Sequence, residues 1–268
     1  MTGAERSAST ASDVAVARAA AGEAADVLLA LRATYPDAPD LRDRGDRAAH
    51  ETIVELLARL RPGDAVLSEE GVDDPARLSA RRVWIVDPLD GTREFGEAGR
   101  PDWAVHVALW QDGELTDAAV ALPGLGTVLA TDDVPPPPPR DGRAAPRFAV
   151  SRTRATALVT GVAEALGGEL VPLGSAGYKA AAVVRGEVDA YVHTGGQYEW
   201  DSAAPVAVAR AAGLHTSRVD GSPLLYNQAD VSLPDLVVCR AELADDVLAA
   251  IARLSQQSDD AGKETIAR

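Results

Sequence analysis

Residues 83–95 read VWIVDPLDGTREF, an apolar run of strand type that ends in two aspartates, with a proline between them and glycine-threonine after. Asp87 and Asp90 are three apart across Pro88, so their carboxylates can converge instead of alternating across a strand. Oxygen ligands at that spacing suit a hard cation such as Mg2+. Gly91 and Thr92 follow, where a turn leading into a helix would offer free backbone N–H groups to a phosphate. The same residues also make a polar β-turn, and the motif alone does not choose between the readings.

A second acidic pair, Glu69-Glu70 in AVLSEEG, ends another short apolar run. Sites in layered sheets gather beyond strand ends, so two such exits can face one pocket. Asp201 in YEWDSAA and Asp46 in RGDRAAH complete the candidates. Taken singly, each of these last two reads as a helix N-cap, and Glu69-Glu70 as a charged turn. If Asp46, Glu69, Glu70, Asp87, Asp90 and Asp201 met, like charges at short range would force some to hold protons. Two or three Mg2+ ions would neutralise most of that charge and create an anion-binding surface.

Such a surface is otherwise missing. The net charge of −15 argues against nucleic acid or an anionic membrane as partner. The 268 residues, 46% hydrophobic, can fill a sizeable core. No apolar run approaches the ~20 residues of a membrane span, and the polar start MTGAERSASTASD has no signal-peptide core, so a cytoplasmic location is expected. The lone Cys239, in the strand-like DLVVCR, reads as a small core residue in a reducing compartment.

The elements that must position the acidic groups follow from periodicity. Residues 1 to about 12 read as a disordered tail and Asp13–Arg32 as an alanine-rich helix. Residues 34–47 read as a polar loop with two prolines. Ile53, Leu56, Leu57 and Leu60 then form a helical face that Pro62-Gly63 stops. AVL, VWIV, the alternation of Trp103, Val105, Val107 and Leu109, then TDAAVAL and GTVLAT read as strands. Residues 132–146, with five consecutive prolines, read as a stiff linker. Beyond it strands and helices alternate: RFAVS, ELVPLG, VDAYVHT and DLVVCR each lead into a helix, which indicates an α/β half. The residues after 254 read as a frayed tail. The four histidines show no paired ligand spacing, no phosphate-binding glycine loop of nucleotide-binding type occurs, and Ser68 has no histidine partner by spacing.

In order, GD (45–46), SEE (68–70), DPLDGTREF (87–95) and EWDSAA (199–204) resemble the inositol monophosphatase superfamily of magnesium-dependent, lithium-inhibited phosphatases. The resemblance covers residues 13–254. It implies an α/β fold in αβαβα layers, with an α+β half at 13–134 and an α/β half at 147–254. DGTREF, GSAGYKAAAVVRGEVDAYVH and DGSPLLYNQ are similar to the branch that removes the 3′-phosphate of 3′-phosphoadenosine 5′-phosphate and is linked to sulfate assimilation, with the 5′-phosphosulfate as a further candidate substrate. Inositol or fructose-1,6-bisphosphate phosphatase activity is the alternative, and a non-catalytic regulator a third. By the same resemblance, Glu69, Asp87 and the Leu89 carbonyl would bind one metal, and Asp87, Asp90 and Asp201 a second. Glu70 would stand in the outer shell or hold the water of a third. Thr92, bonded to Asp46, would orient the attacking water. Gly91, Thr92, Arg93, Ser175, Lys179 and Glu199 are candidate substrate contacts, with Tyr178, Tyr198 and Trp200 as a wall for adenine. Homodimers are common among similar proteins.

Overall fold

The computed structural model describes residues 11–142, 144–153 and 155–266. The expected N-terminal tail falls on residues 1–10, outside the described residues. Ser12 belongs to structure, because its hydroxyl accepts from the Ala15 amide (3.3 Å) and caps α1, Asp13–Thr34. The buried face of α1 is mostly alanine, Ala17, Ala20, Ala21, Ala24 and Ala25, which allows close packing on its neighbour α2. That helix spans Leu41–Leu60, so the polar loop expected over 34–47 ends at residue 40, seven residues early. Pro36 and Pro39 confine the loop, and nothing after Pro39 breaks a helix until Pro62. Asp46 therefore lies inside α2 and caps nothing.

The first sheet holds β1 (Ala65–Ser68), β2 (Arg82–Asp90), β3 (Ala104–Gln111), β4 (Glu114–Leu122) and β5 (Thr127–Ala130), in that order. β1 and β2 run parallel; the other pairs are antiparallel. Trp84, Val86, Val105 and Val107 face α1 and α2, while Val83, Ile85, Ala104 and Ala108 face the other way into a second core. Both faces are covered, which explains why VWIV is apolar throughout and does not alternate.

Residues 132–139 form no strand or helix; Arg18 of α1 holds their start through Asp132 (2.6 Å) and Asp133 (2.9 Å). The second sheet follows, from β6 (Arg147–Ser151), β7 (Glu169–Leu173), β8 (Ala190–Tyr198), β9 (His215–Ser217) and β10 (Ser232–Cys239) in the order β7-β6-β8-β10-β9. It is mixed, with β10 antiparallel to β8 and β9. After the one-turn α3 (Thr92–Phe95), the helices are α4 (Ala157–Ala165), α5 (Ala176–Val184), α6 (Glu199–Ala211) and α7 (Ala244–Ile266). α5 and α6 lie between the sheets, and α4 and α7 cover the outer face of the second, giving αβαβα layers. The tail expected after 254 continues α7, since no proline follows to stop it.

Candidate active site

Residues three apart on a regular strand point to opposite faces. Asp87 and Asp90 escape that rule because β2 bulges between them: Asp87 pairs with His106 and Asp90 with Ala104, three steps on one strand against two on the other. Pro88 has no N–H for the ladder, and Leu89 donates its own to Asp87 Oδ1 at 3.1 Å. The DPLD segment is thus a bulged strand end, not a turn. Parallel pairing of β1 with β2 carries the next acidic pair alongside, where the Glu69 amide donates to the Val86 carbonyl (3.3 Å).

Gly91 turns the chain with φ of 90°, and Thr92 starts α3, whose single turn has little dipole to offer an anion. The Thr92 hydroxyl lies 3.2 Å from Asp46 Oδ1 and 3.1 Å from the Leu89 carbonyl. α2 reaches this point because Gly45 has no side chain: a Cβ there would lie 2.7 Å from Phe95 and 3.0 Å from Leu89.

Asp90 is gripped from the second half of the chain. It accepts from Ser175 Oγ and the Gly177 amide on Oδ2, both at 2.5 Å, and from the Ala176 amide on Oδ1 at 3.1 Å. Ser175 itself is held at φ 37°, a strained value for a serine, and caps α5. His106, fully buried on β3, sends Nδ1 to the Trp200 carbonyl (3.1 Å) and Nε2 to within 3.3 Å of Asp90 Oδ2. Asp201 stands in the first turn of α6 and accepts the Tyr198 amide at 2.7 Å.

These contacts set the electrostatics. Burial raises the Asp90 carboxyl, but His106, Ser175 and the Gly177 amide outweigh it and hold the group below its ordinary range. Asp87 is driven well above its range by burial and by the charges of Asp90, Glu69 and Asp201. Burial, then Asp201, push Glu69 up to about 7, although its side chain still reaches solvent. Asp201 rises to about 6 through burial and Asp90. Asp46 rises to about 6 through burial and Glu70, with Thr92 opposing. Crowded carboxylates raised in this way, with the Leu89 carbonyl that accepts the Thr92 hydroxyl, are oxygen donors of the kind that could hold a hard divalent cation. Asp87, Asp90 and His106 are the group, among the described residues, whose ligand-type atoms all lie within 4.8 Å of one another.

Sequence reasoning missed His106, since it looked for paired histidines; the signal was a lone imidazole in an otherwise apolar strand. It also left Ser68 without a partner, whereas His50 Nδ1 sits 2.9 Å from Ser68 Oγ. The two residues lie 18 apart on consecutive elements, α2 and β1, beyond the reach of any local spacing rule, and only the packing of the helix beside the strand brings them together. Of the expected substrate contacts, Gly91, Thr92 and Arg93 line the end of β2, Arg93 on the surface against Glu97 and Thr153 (both 3.3 Å). The other three are buried on internal partners. Ser175 is on Asp90; Lys179 donates to the carbonyls of Gly174 (3.0 Å) and Ser175 (2.6 Å); Glu199 accepts the amides of Asn227 (2.6 Å) and Gln228 (2.7 Å). Tyr178 is buried beneath Arg185, while half-exposed Tyr198 stacks on Trp200 with centroids 4.9 Å apart. Cys239 is buried, its thiol pushed up to about 12, and is no nucleophile.

Comparison with known proteins is consistent with this architecture. The model of the inositol monophosphatase family matches residues 7–257. The 3′-phosphoadenosine 5′-phosphate phosphatase of Mycobacterium leprae is 51% identical over 257 residues, 91% of this chain and 95% of that protein. The 3′(2′),5′-bisphosphate nucleotidase CysQ of Escherichia coli K12 is 32% identical over 194 residues, 68% of this chain and 77% of that protein. Among solved structures, CysQ of Bacteroides thetaiotaomicron superposes with a TM-score of 0.70 at 28% identity, covering 84% of this chain and 96% of that one.

Proposed function

The chain belongs to the inositol monophosphatase family, and on that premise we propose that it is a Mg2+-dependent hydrolase of the 3′-phosphate of adenosine 3′,5′-bisphosphate, with a role in sulfate assimilation and with the 5′-phosphosulfate as a second substrate. The observation that carries the substrate is 51% identity, spread over 91% of the chain, to a phosphatase of that specificity. The chemistry is supported by the carboxylates around Asp87 and Asp90.

Glu69, Asp87, Asp90, Asp201 and the Leu89 carbonyl would hold Mg2+, two or three ions per site, with Glu70 behind them. When bound, Mg2+ supplies a Lewis acid for the phosphoryl oxygens and lowers the pKa of water. The protein's own groups do the positioning. The single proton of the Thr92 hydroxyl has two acceptors, Asp46 and Leu89 O, and can satisfy one at a time. Donated to Asp46, it leaves the Thr92 lone pairs facing outward to accept from an attacking water. Asp46, raised to about 6, is poised to take up a proton near neutral pH.

Arg93 supplies a planar fork for the 5′-phosphate on exchange of its contact with Glu97. Ser175, Lys179 and Glu199 shape the site from behind instead of touching substrate, since each is more than nine-tenths buried on internal partners. Tyr198, stacked on Trp200, offers the open aromatic face for adenine. Phosphate release from adenosine 3′,5′-bisphosphate, inositol-1-phosphate and fructose-1,6-bisphosphate, each with Mg2+, with added Li+ and with chelator, tests this. Preference for the inositol ester would overturn the substrate, and activity indifferent to chelator would overturn the mechanism.

A further inference from the structure

The carboxylates of the site come from both halves of the chain, and no covalent linkage fixes Glu69 relative to Asp201 except through more than a hundred residues. Their spacing matters, because both are assigned to the same metal site. One buried group spans the gap by another route. Arg77, in the short 3-10 turn Pro75–Ser79 that follows the Glu69-Glu70 loop, is 1% exposed. On its own side it donates to both oxygens of Asp73, at 2.6 and 3.0 Å. Across the gap it donates to Asn227 Oδ1 (2.7 Å) and the Gln228 carbonyl (2.9 Å).

Those two residues in turn hold α6. Their backbone amides occupy both oxygens of Glu199, the first residue of that helix. Neighbouring Tyr226 bonds Ser202 through its hydroxyl (3.1 Å), so the 226–228 loop grips α6 on either side of Asp201. Asn227 adopts φ 58°, the left-handed conformation needed to aim its amide at Glu199 and its side chain at Arg77. All four guanidinium bonds reach oxygen acceptors from a group that is itself buried, although Asp73 is partly exposed, and a planar five-donor fork is geometrically demanding, so lysine is a poor substitute.

We infer that Arg77 is a positioning residue for the metal site, a clamp that sets the distance between Glu69-Glu70 and Asp201 through Asn227, Gln228 and Glu199. This rests on the assignment of Glu69 and Asp201 as metal ligands. A residue with only a general structural role would lower stability without a selective effect on metal binding; direct partners of metal ligands change affinity by about 10–100-fold, and Arg77, acting through Asn227, Gln228 and Glu199, is expected at the lower end of that range.

The test uses Mn2+ as probe, with free ion followed by electron paramagnetic resonance, alongside Mg2+ activation and thermal unfolding. The variants are Arg77→Gln, Arg77→Lys and Asn227→Gly, the last of which keeps the left-handed backbone and both amides on Glu199 but removes the Arg77 acceptor. Arg82→Gln is the control, since Arg82 is bonded to Asp13 and Asp64 at the opposite end of β2. Arg77→Gln is expected to weaken Mn2+ binding about tenfold, with Arg77→Lys and Asn227→Gly intermediate and Arg82→Gln unchanged at a comparable loss of stability. Wild-type affinity in Arg77→Gln, or an equal loss in Arg82→Gln, overturns the clamp while leaving the metal site standing. If Arg77→Gln does not fold, Asn227→Gly decides by the same comparison. Absence of saturable Mn2+ binding in the wild type overturns the metal assignment itself, and the clamp with it.

Discussion

Asp90→Asn and Asp87→Asn remove the same charge three residues apart, yet the structure predicts opposite effects on the stability of the metal-free protein. Asp90 accepts three donors, Ser175 Oγ and the Gly177 amide on one oxygen and the Ala176 amide on the other. An asparagine has one acceptor oxygen. In one orientation its NH2 faces the Ala176 N–H, and in the other the Gly177 N–H, so one buried backbone donor is stranded either way. That costs about 1–3 kcal/mol, and the remaining bonds lose their charge assistance. Relief of repulsion on Asp87 and Asp201 offsets part of this, so a net loss of roughly 2 kcal/mol is expected. Asp87 is different. It accepts the Leu89 amide, which an asparagine carbonyl also accepts, and burial with three neighbouring charges already drives its carboxyl toward the neutral form. Asp87→Asn should be as stable as wild type or more so. The assay is thermal unfolding in chelator near neutral pH, repeated with millimolar Mg2+, beside turnover of adenosine 3′,5′-bisphosphate. Asp90→Asn should melt roughly 4–8 °C lower and Asp87→Asn should not, while both lose turnover and the stabilisation by Mg2+ seen in wild type. An Asp90→Asn protein as stable as wild type in chelator, or an Asp87→Asn protein less stable than it, would refute the reasoning.

Asp46, Glu69, Asp87 and Asp201 all carry folded-state pKa values above their unfolded ones, so the native metal-free protein binds protons more tightly than the unfolded chain. That stabilisation is fully present below about pH 4, where the unfolded carboxyls titrate, and is lost as pH rises toward about 6 to 7; the melting temperature in chelator should therefore fall between about pH 4 and 7, and Mg2+ should oppose the trend. Glu70→Gln removes a charge that raises Asp46, so the acid limb of kcat at saturating Mg2+ should move to lower pH; a limb that stays in place would show that Asp46 does not govern it. Gly45→Ala places a Cβ 2.7 Å from the Phe95 ring, an overpacking worth about 1–3 kcal/mol, and should lower kcat with little change in KM by carrying Asp46 away from Thr92, as parallel melting and steady-state kinetics would show.

Much of this was written in local patterns. VWIV is apolar at every position because both faces of its sheet are covered, and that run, the acidic strand exits and the change to strand–helix alternation after residue 146 are all legible without coordinates. So is the list of carboxylates. What the chain's own order could not reveal is which donors reach them. The bulge that turns Asp87 and Asp90 to one side depends on the register of β2 against β3, a relation between two strands. His106, Ser175 and the α5 amides meet Asp90 across separations of 16 to 87 residues, and Arg77 meets Asn227 across 150. Ser175, Lys179 and Glu199 have side chains of the right type to hold a phosphorylated substrate, and only packing shows them turned inward. A residue type and a short spacing specify which chemistry a side chain can do. Whether it faces substrate, a metal ligand or the core is fixed by long-range packing, where burial and the competition among distant partners decide the outcome.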